Sequence, residues 1–425
     1  MQVLLISLFL LGYILIAFEH SFRINKAASA LLTAALCWSV YALFSTDKEA
    51  VTHQLEQHLG DISGILFFLL GAMVIVELID AHDGFELITR KIRTTDKRKL
   101  VWLISFITFF LSAALDNLTT TIVLVSLLRK IIADRQERLL YAGMVVIAAN
   151  AGGAWSPIGD VTTTMLWIGG QITAANIIVT AFLPSLVCML VPAFIISRGM
   201  KGNVSQRPAT LQNKNFTHNS RERNLVFWLG IGSLLMVPVF KTITHLPPYM
   251  GILFGLGLMW VLTEMIHSEK DEREKGILSV NHALRKIDTP SVLFFLGILL
   301  CISVLESTHL LAAMANWLDK VIGNISAISI TIGFLSAIVD NVPLVAGAQG
   351  MYPLAQYPTD HYYWEFLAYC AGTGGSILII GSAAGVAAMG LEKINFFWYL
   401  KKIGWLALLG YLAGAAVFIL QDSLF

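Results

Sequence analysis

Apolar residues along this chain fall into stretches of about twenty, the length at which one helix crosses a bilayer. Ten stretches read as full spans: 1–18, 25–44, 62–80, 139–165, 176–197, 225–243, 248–266, 290–307, 366–390 and 403–421. The first is apolar from its third residue and has neither a positive leader nor a small-residue cleavage site, so it reads as a span and not as a removed signal. Two further apolar stretches, 101–128 and 321–352, carry polar residues at their midpoints. These are Asp116-Asn117-Leu118-Thr119-Thr120-Thr121 and Asp340-Asn341-Val342-Pro343. Two of the spans, 139–165 and 366–390, are interrupted by Asn150-Ala-Gly-Gly and Gly372-Thr-Gly-Gly, which predicts a break in each helix at mid-membrane.

Charge placement sets the orientation. Arg198, Lys201, Arg207, Lys214, Arg221 and Arg223 lie between two spans, as do Lys270, Arg273, Lys275, Arg285 and Lys286. Arg23 and Lys26 follow the first span, and Lys393, Lys401 and Lys402 precede the last. Positive loops belong in the cytoplasm. The segment 45–61 has one Lys against four acids, and 353–365 has no Lys or Arg, so both go outside. Both termini then lie outside, in what we expect to be a bacterial inner membrane. Residues 101–128 are preceded by Lys97, Arg98 and Lys99 and followed by Arg129, Lys130, Arg135 and Arg138. With both flanks positive, the stretch predicts a re-entrant hairpin with its tip at membrane depth. One long tilted span is the alternative, but it would reverse every later loop.

Composition agrees with this picture. The 425 residues are 56% hydrophobic and only 13% charged, against about 25% charged in soluble domains. Net charge is +1, which argues against nucleic acid as a partner; the expected partner is membrane lipid. Cys37, Cys188, Cys301 and Cys370 stand singly in apolar runs, as packing residues do. No catalytic residue and no resident cofactor are expected.

The chain repeats itself. Phe110-Leu-Ser-Ala-Ala-Leu-Asp-Asn117 matches Phe334-Leu-Ser-Ala-Ile-Val-Asp-Asn341 at six of eight positions, 224 residues later. Asn150-Ala-Gly-Gly-Ala-Trp-Ser-Pro-Ile-Gly-Asp160 matches Gly372-Thr-Gly-Gly-Ser-Ile-Leu-Ile-Ile-Gly-Ser382 at a spacing of 222, and Phe68-Leu-Leu-Gly71 matches Phe294-Phe-Leu-Gly297 at 226. Each half holds five spans and one hairpin, so an odd number of crossings turns the second half upside down. The expected fold is an all-α polytopic membrane protein of two inverted repeats, 1–200 and 225–425, joined by a cytoplasmic linker at 201–224. Paired interruptions in inverted repeats mark the site of a secondary transporter, at the repeat interface near the midplane.

Asp116 and Asp340 are mates at the hairpin tips, and Asp160 lies just past a Gly-Gly and a Ser-Pro. An aspartate at the centre of a membrane helix costs about 2.5–3.5 kcal/mol. Capping the N–H groups of a helix start is one reason to keep it there; holding a cation is the other. Neutral oxygens surround the three: Asn117, Thr119, Asn150, Thr162, Ser336, Asn341, Thr373, Ser376 and Ser382, with carbonyls freed at Gly152. Back-bonding to the preceding turn is the bland role for each Ser or Thr. No Lys or Arg occurs between Lys99 and Arg129, between Arg138 and Arg198, or between Lys320 and Lys393. The aspartates are therefore expected to lack basic partners, which favours a small monovalent cation over an anion, held at Asp116, Asp160 and Asp340. Glu77 and Asp80, near a span end, with Glu306 as the mate of Asp80, read as snorkelling or capping residues, Glu264 as interfacial, and His245, His309 and His361 as interface residues.

Taken together, Asp116-Asn-Leu-Thr-Thr-Thr, Asn150 through Thr164, Asp340-Asn-Val-Pro-Leu344 and Gly372-Thr-Gly-Gly-Ser376 closely resemble the NhaD-type sodium/proton antiporters of the ion transporter superfamily. The resemblance covers essentially the whole chain. It implies exchange of Na⁺ or Li⁺ for H⁺, a homodimer, and a mobile transport domain that moves as an elevator against a scaffold. Dicarboxylate relatives carry Ser-Asn-Thr at their tips, where this chain has Asp-Asn, which moves the reading from anion symport to cation antiport. An anion carrier of the arsenite or dicarboxylate type is the alternative. Buried carboxylates resist ionisation unless a cation compensates them, so Na⁺ and protons are expected to displace each other from one site.

Overall fold

Helices make up the protein, and no strand occurs among the described residues beyond a single bridge between Asp96 and Asn203. In this computed structural model the described residues are 1–17, 24–89, 92, 94–205, 220–268, 276–338 and 340–424. Arg23, Arg207, Lys214, Lys270, Arg273 and Lys275, which carry part of the orientation argument, lie outside them, as does most of the expected linker.

The first helices are α1 (Gln2–Ala17), α2 (Lys26–Phe44), α3 (Lys48–Ala81) and the single turn α4 (Glu86–Thr89). Next come α5 (Lys97–Ala114), α6 (Asn117–Ile131), α7 (Arg135–Ala154), α8 (Val161–Ile168) and α9 (Ala174–Gly199). The second half opens with α10 (Ser220–Thr244), α11 (Pro248–Ile266), α12 (Val280–Lys286) and α13 (Thr289–Ser307). It continues with α14 (Leu310–Val321), α15 (Ile325–Ser336), α16 (Asn341–Met351), α17 (Tyr362–Gly374), α18 (Ala383–Glu392) and α19 (Phe396–Leu424). Among the described residues, seven helices are long and apolar enough to cross a membrane, or eight if α14 and α15, bent by 116°, count as one. Their outward faces are apolar, with Leu43, Ile243 and Leu258 exposed. This is a multi-pass membrane protein. Ten full spans were expected; the difference arises where the chain crosses in pieces, at α7–α8 and α17–α18, and at the short α1.

The helices sort into two groups. In one, α2 packs on α1 and α13, while α3 packs on α11 and α13, and α11 on α10. In the other, α5 packs on α7, α15 on α17, α6 on α18, and α9 along α19. The groups meet chiefly where α13 touches α16 and α3 touches α8.

Helix ends gather on two sides. On one, the Lys97 N–H donates to the Gly202 carbonyl at 3.0 Å and the Ala133 N–H to the Ser205 carbonyl at 2.7 Å. The two ends of the 101–128 stretch thus meet the same short segment, and Lys97 Nζ pairs with Glu137 at 2.5 Å. Arg135 donates to the Glu392 and Lys393 carbonyls on this side as well. On the other side, Thr173 bonds Asp360, Tyr352 bonds Asp319, and Ser326 bonds Tyr362.

Three boundaries depart from expectation. Helix α3 begins at Lys48, well before the apolar span at 62, because Asp47 caps it at the Ala50 N–H and residues 48–61 are good helix formers. The second hairpin starts at Ile325 and not at 321, since Asn324 caps α15 and α14 is a separate amphipathic helix. The last helix starts at Phe396, earlier than 403, and passes through a π-helical turn at Leu400–Gly404.

Candidate cation and proton site

Each of the three aspartates stands at the start of a helix. Asp116 caps α6, accepting the Thr119 N–H and hydroxyl, each at 2.7 Å. Asp160 caps α8, accepting the Thr162 N–H and hydroxyl, each at 3.0 Å, on Oδ1. Asp340 caps α16 through the Val342 N–H at 3.3 Å. Capping, one of the two reasons weighed for these acids, is therefore present at all three.

Asp160 does more than cap. Its Oδ2 accepts the Asn117 amide at 2.6 Å, and Asn341 Nδ2 lies 3.4 Å from both of its oxygens. One amide from each tip thus converges on one buried carboxylate. Asn117 Nδ2 also reaches Asn150 Oδ1 at 3.0 Å, and Asn150 Nδ2 donates to Ser376 and Ser382, each at 2.9 Å. All of these side chains are buried. The network joins both tips and both helix breaks around a single negative charge.

Glycine lets the tips come this close. A Cβ on Gly152 would fall on the Phe109 carbonyl oxygen, and one on Gly374, its counterpart, would fall on the Gly333 carbonyl oxygen. Ser112 donates to the Ala149 carbonyl at 2.6 Å, and Ser336 to the Ala371 carbonyl at 2.7 Å. The same contact between a hairpin arm and a broken helix is made twice, by residues at matching places in the two halves.

Of the expected oxygen donors, Asn117, Asn150, Asp160, Thr162, Asn341, Ser376 and Ser382 come together. Three do not join them. Ser336 straps a hairpin to a helix, Thr373 back-bonds to Tyr369 at 2.6 Å, and Thr119 serves Asp116. Gly152 acts through close approach. Among the described residues no three His, Cys, Asp or Glu side chains are placed to hold one metal ion together. One expectation is overturned: Asp340 does have a basic partner, Lys26, with Nζ 3.5 Å from Oδ2. Lys26 is remote in sequence, so scanning each apolar stretch for its own Lys or Arg could not find it.

All four cysteines are free and buried. Glu77 pairs with Lys286 at 3.1 Å, Glu264 accepts the exposed Trp260 N–H, and His361 caps α17. Sequence reasoning passed over Glu365, buried on α17 and bonded by Asn176, and Tyr399, which donates to the Ser376 carbonyl at 2.9 Å. The π-helical turn after Tyr399, a feature often found at functional sites, falls on Leu-Lys-Lys-Ile-Gly, where no proline or polar anomaly signals it.

An all-helical, multi-pass chain with interrupted helices around a buried polar core is a membrane transporter. Residues 13–372 match the family described as citrate transporter, CitMHS, and the chain belongs to the NhaD-type sodium/proton antiporters of the ion transporter superfamily. It is 49% identical to sodium/proton antiporter 2 of Arabidopsis thaliana, over 97% of this chain and 98% of that one. Sodium/proton antiporter 1 of the same plant is also 49% identical, over 98% of this chain and 72% of that one. The Na⁺/H⁺ antiporter NhaD of Vibrio cholerae is 30% identical over 98% and 91%. The crystal structure of the YdaH transporter of Alcanivorax borkumensis shares the fold, with a TM-score of 0.56 over 94% of this chain and 97% of that one, at 12% identity.

Proposed function

We propose that this protein is a secondary transporter that exchanges Na⁺ or Li⁺ for H⁺, with cation and proton competing for Asp160. The observation that carries the proposal is the convergence of Asn117 and Asn341, one from each tip, on a buried carboxylate that also borders the Asn150–Ser376–Ser382 network. An Asn side chain turns an N–H₂ or a carbonyl oxygen to its neighbour by rotating its amide. Without a cation the amides donate to Asp160. With one, the rotated oxygens and the Ser and Thr hydroxyls complete a hard-oxygen shell, and protonation of Asp160 expels the ion. An ionised, empty site is costly to carry across the apolar zone, so loaded forms cross and exchange is obligatory. A carboxylate at the centre opposes an anionic cargo of the arsenite or dicarboxylate type.

The fold we infer around this site is a pair of inverted repeats, 1–200 and 225–425, each with a re-entrant hairpin and a broken helix. The doubled Ser112/Ser336 and Gly152/Gly374 contacts support it, as do hairpin ends that gather on opposite sides. The group α1–α3, α10, α11 and α13 would be the scaffold of a homodimer in lipid. The group that carries the hairpins would move against it as an elevator. The positive segments assign the Lys97–Ser205 side to the cytoplasm of a bacterial inner membrane and both termini to the outside.

The test is proton flux in everted vesicles. Na⁺ added after a pH gradient forms should collapse that gradient in vesicles that contain the protein and not in controls. A gradient that Na⁺ and Li⁺ leave intact, with arsenite or a dicarboxylate accumulated, would overturn the reading.

A further inference from the structure

The two hairpin tips share their Asp-Asn pair and differ after it, and one of the differences, at Thr119 and Pro343, alters how charge is handled. Thr119 gives Asp116 both an N–H and a hydroxyl, so both carboxylate oxygens are bonded within the tip. The matching residue of the second tip is Pro343, which has neither group to give. Within its own tip Asp340 accepts the Val342 N–H on Oδ1 at 3.3 Å. Its Oδ2 turns instead to the other helix group, where Lys26 Nζ lies at 3.5 Å.

Lys26 is held in place for that contact. It is the first residue of α2, whose start is capped by Asn25 through the Ala27 N–H at 2.8 Å. Its ammonium stands 4.4 Å from the centre of the Phe294 ring on α13, a cation–π distance. The ion pair thus links α2, packed on α13, to the tip of the second hairpin. The two side chains are 28% and 19% exposed, so the pair is not sealed inside the protein. Ion pairs at such exposure hold weakly, as a tie that opens once per cycle must.

We propose that Lys26 is a resident counter-cation: in the cation-free carrier its ammonium neutralises Asp340, and Na⁺ entering the site competes with it and releases the tie between α2 and the second tip. The proposal rests on the reading of the aspartate site as a Na⁺/H⁺ exchanger and makes Lys26 a positioning residue. It gives exchange a second safeguard, because the empty carrier stays fastened to the neighbouring helices until a cation arrives.

The test is the Na⁺ concentration for half-maximal proton flux in proteoliposomes at a fixed alkaline pH. Lys26→Gln removes the competitor and should lower that concentration about tenfold, while Lys26→Arg, which keeps the charge, should stay within about twofold of wild type. A lower maximal rate with unchanged half-saturation in Lys26→Gln would mark Lys26 as merely structural and overturn the proposal. A second measurement uses wild-type protein alone. Acylation of Lys26 by an amine-reactive reagent, followed by mass spectrometry, should increase when choline is replaced by Na⁺, and equal labelling in the two salts would overturn the proposal. If wild-type protein shows no Na⁺-driven flux, the exchanger reading itself fails, which separates the two outcomes.

Discussion

Asn150 and Ser382 meet at 2.9 Å, an amide from the break in one half against the hydroxyl that caps α18 in the other. Ser382 holds the place in the second half that Asp160 holds in the first. The two breaks are thus alike in backbone and unlike in charge, and the buried network has one carboxylate at its centre.

That asymmetry makes Asp160 the most sensitive position. Asp160→Asn should abolish Na⁺-driven proton flux and leave the protein in the membrane in normal amount. An ionised Asp costs about 2.5–3.5 kcal/mol at a helix centre, so losing the charge should not hinder insertion, and an Asn can still cap α8. Flux together with immunoblotting of membranes checks it. Ser382→Ala, at the uncharged counterpart, removes one neutral oxygen and no charge, so it should weaken Na⁺ affinity without abolishing the flux.

The tip amides should tune affinity more than maximal rate. Asn117→Ala and Asn341→Ala each remove one neutral contact to the ion, worth about 1 kcal/mol, and should raise half-saturating Na⁺ by about five- to tenfold. Asn150→Ala also leaves the Ser376 and Ser382 hydroxyls without their amide partner and should do more damage. Na⁺ titration of purified variants measures all three.

Glycine at the crossing points should resist enlargement. In an open helix Gly→Ala gains up to about 1 kcal/mol. At Gly152 and Gly374 the added methyl would press on the carbonyls of Phe109 and Gly333, and overpacking costs about 1–3 kcal/mol. Both substitutions should lower the melting temperature in detergent, and by similar amounts, because the contacts are counterparts.

Much of this was legible in the chain. The Asp-Asn pairs, the Gly-Gly breaks and their constant spacing located the polar core, because a membrane exposes every uncompensated polar residue as an anomaly. The regular spacing also paired the break at Gly152 with that at Gly374, but not the close approach that each glycine makes to a neighbouring carbonyl. What stayed hidden was contact between distant segments. Lys26 lies far from Asp340 in sequence, and its own surroundings read as an ordinary span end. Likewise, nothing local separates Ser376, which joins the network, from Thr373, which turns back to Tyr369. The start of α3 at Lys48 was missed for a different reason: apolar length marks the span and is blind to a helix that continues into water.

A charge lock on the Lys97–Ser205 side should matter for stability and not for ion choice. Glu392 is buried and pairs with Arg138 at 2.8 Å and Arg129 at 3.4 Å, tying α18 to α6 and α7. Breaking a buried pair by removing one partner costs about 3–5 kcal/mol. Arg138→Ala should reduce the folded protein recovered and its melting temperature, while whatever folds keeps the wild-type Na⁺ dependence.

The central claim is that Na⁺ and H⁺ share Asp160, and Na⁺ affinity measured against pH tests it most directly. A protonated Asp160 is neutral and cannot bind the ion, so affinity should fall as pH falls. While protons compete, each tenfold rise in their concentration should weaken Na⁺ binding by up to tenfold per competing proton, or about 1.4 kcal/mol. Where protons no longer compete, the affinity should level off. Neighbouring acids couple, so the midpoint belongs to the site as a whole. Half-saturating Na⁺ measured from about pH 6 to about pH 10, a window well above the ordinary aspartate range, should show the slope and then the plateau. A Na⁺ affinity constant across that window would mean separate sites for the two ions and would contradict the account.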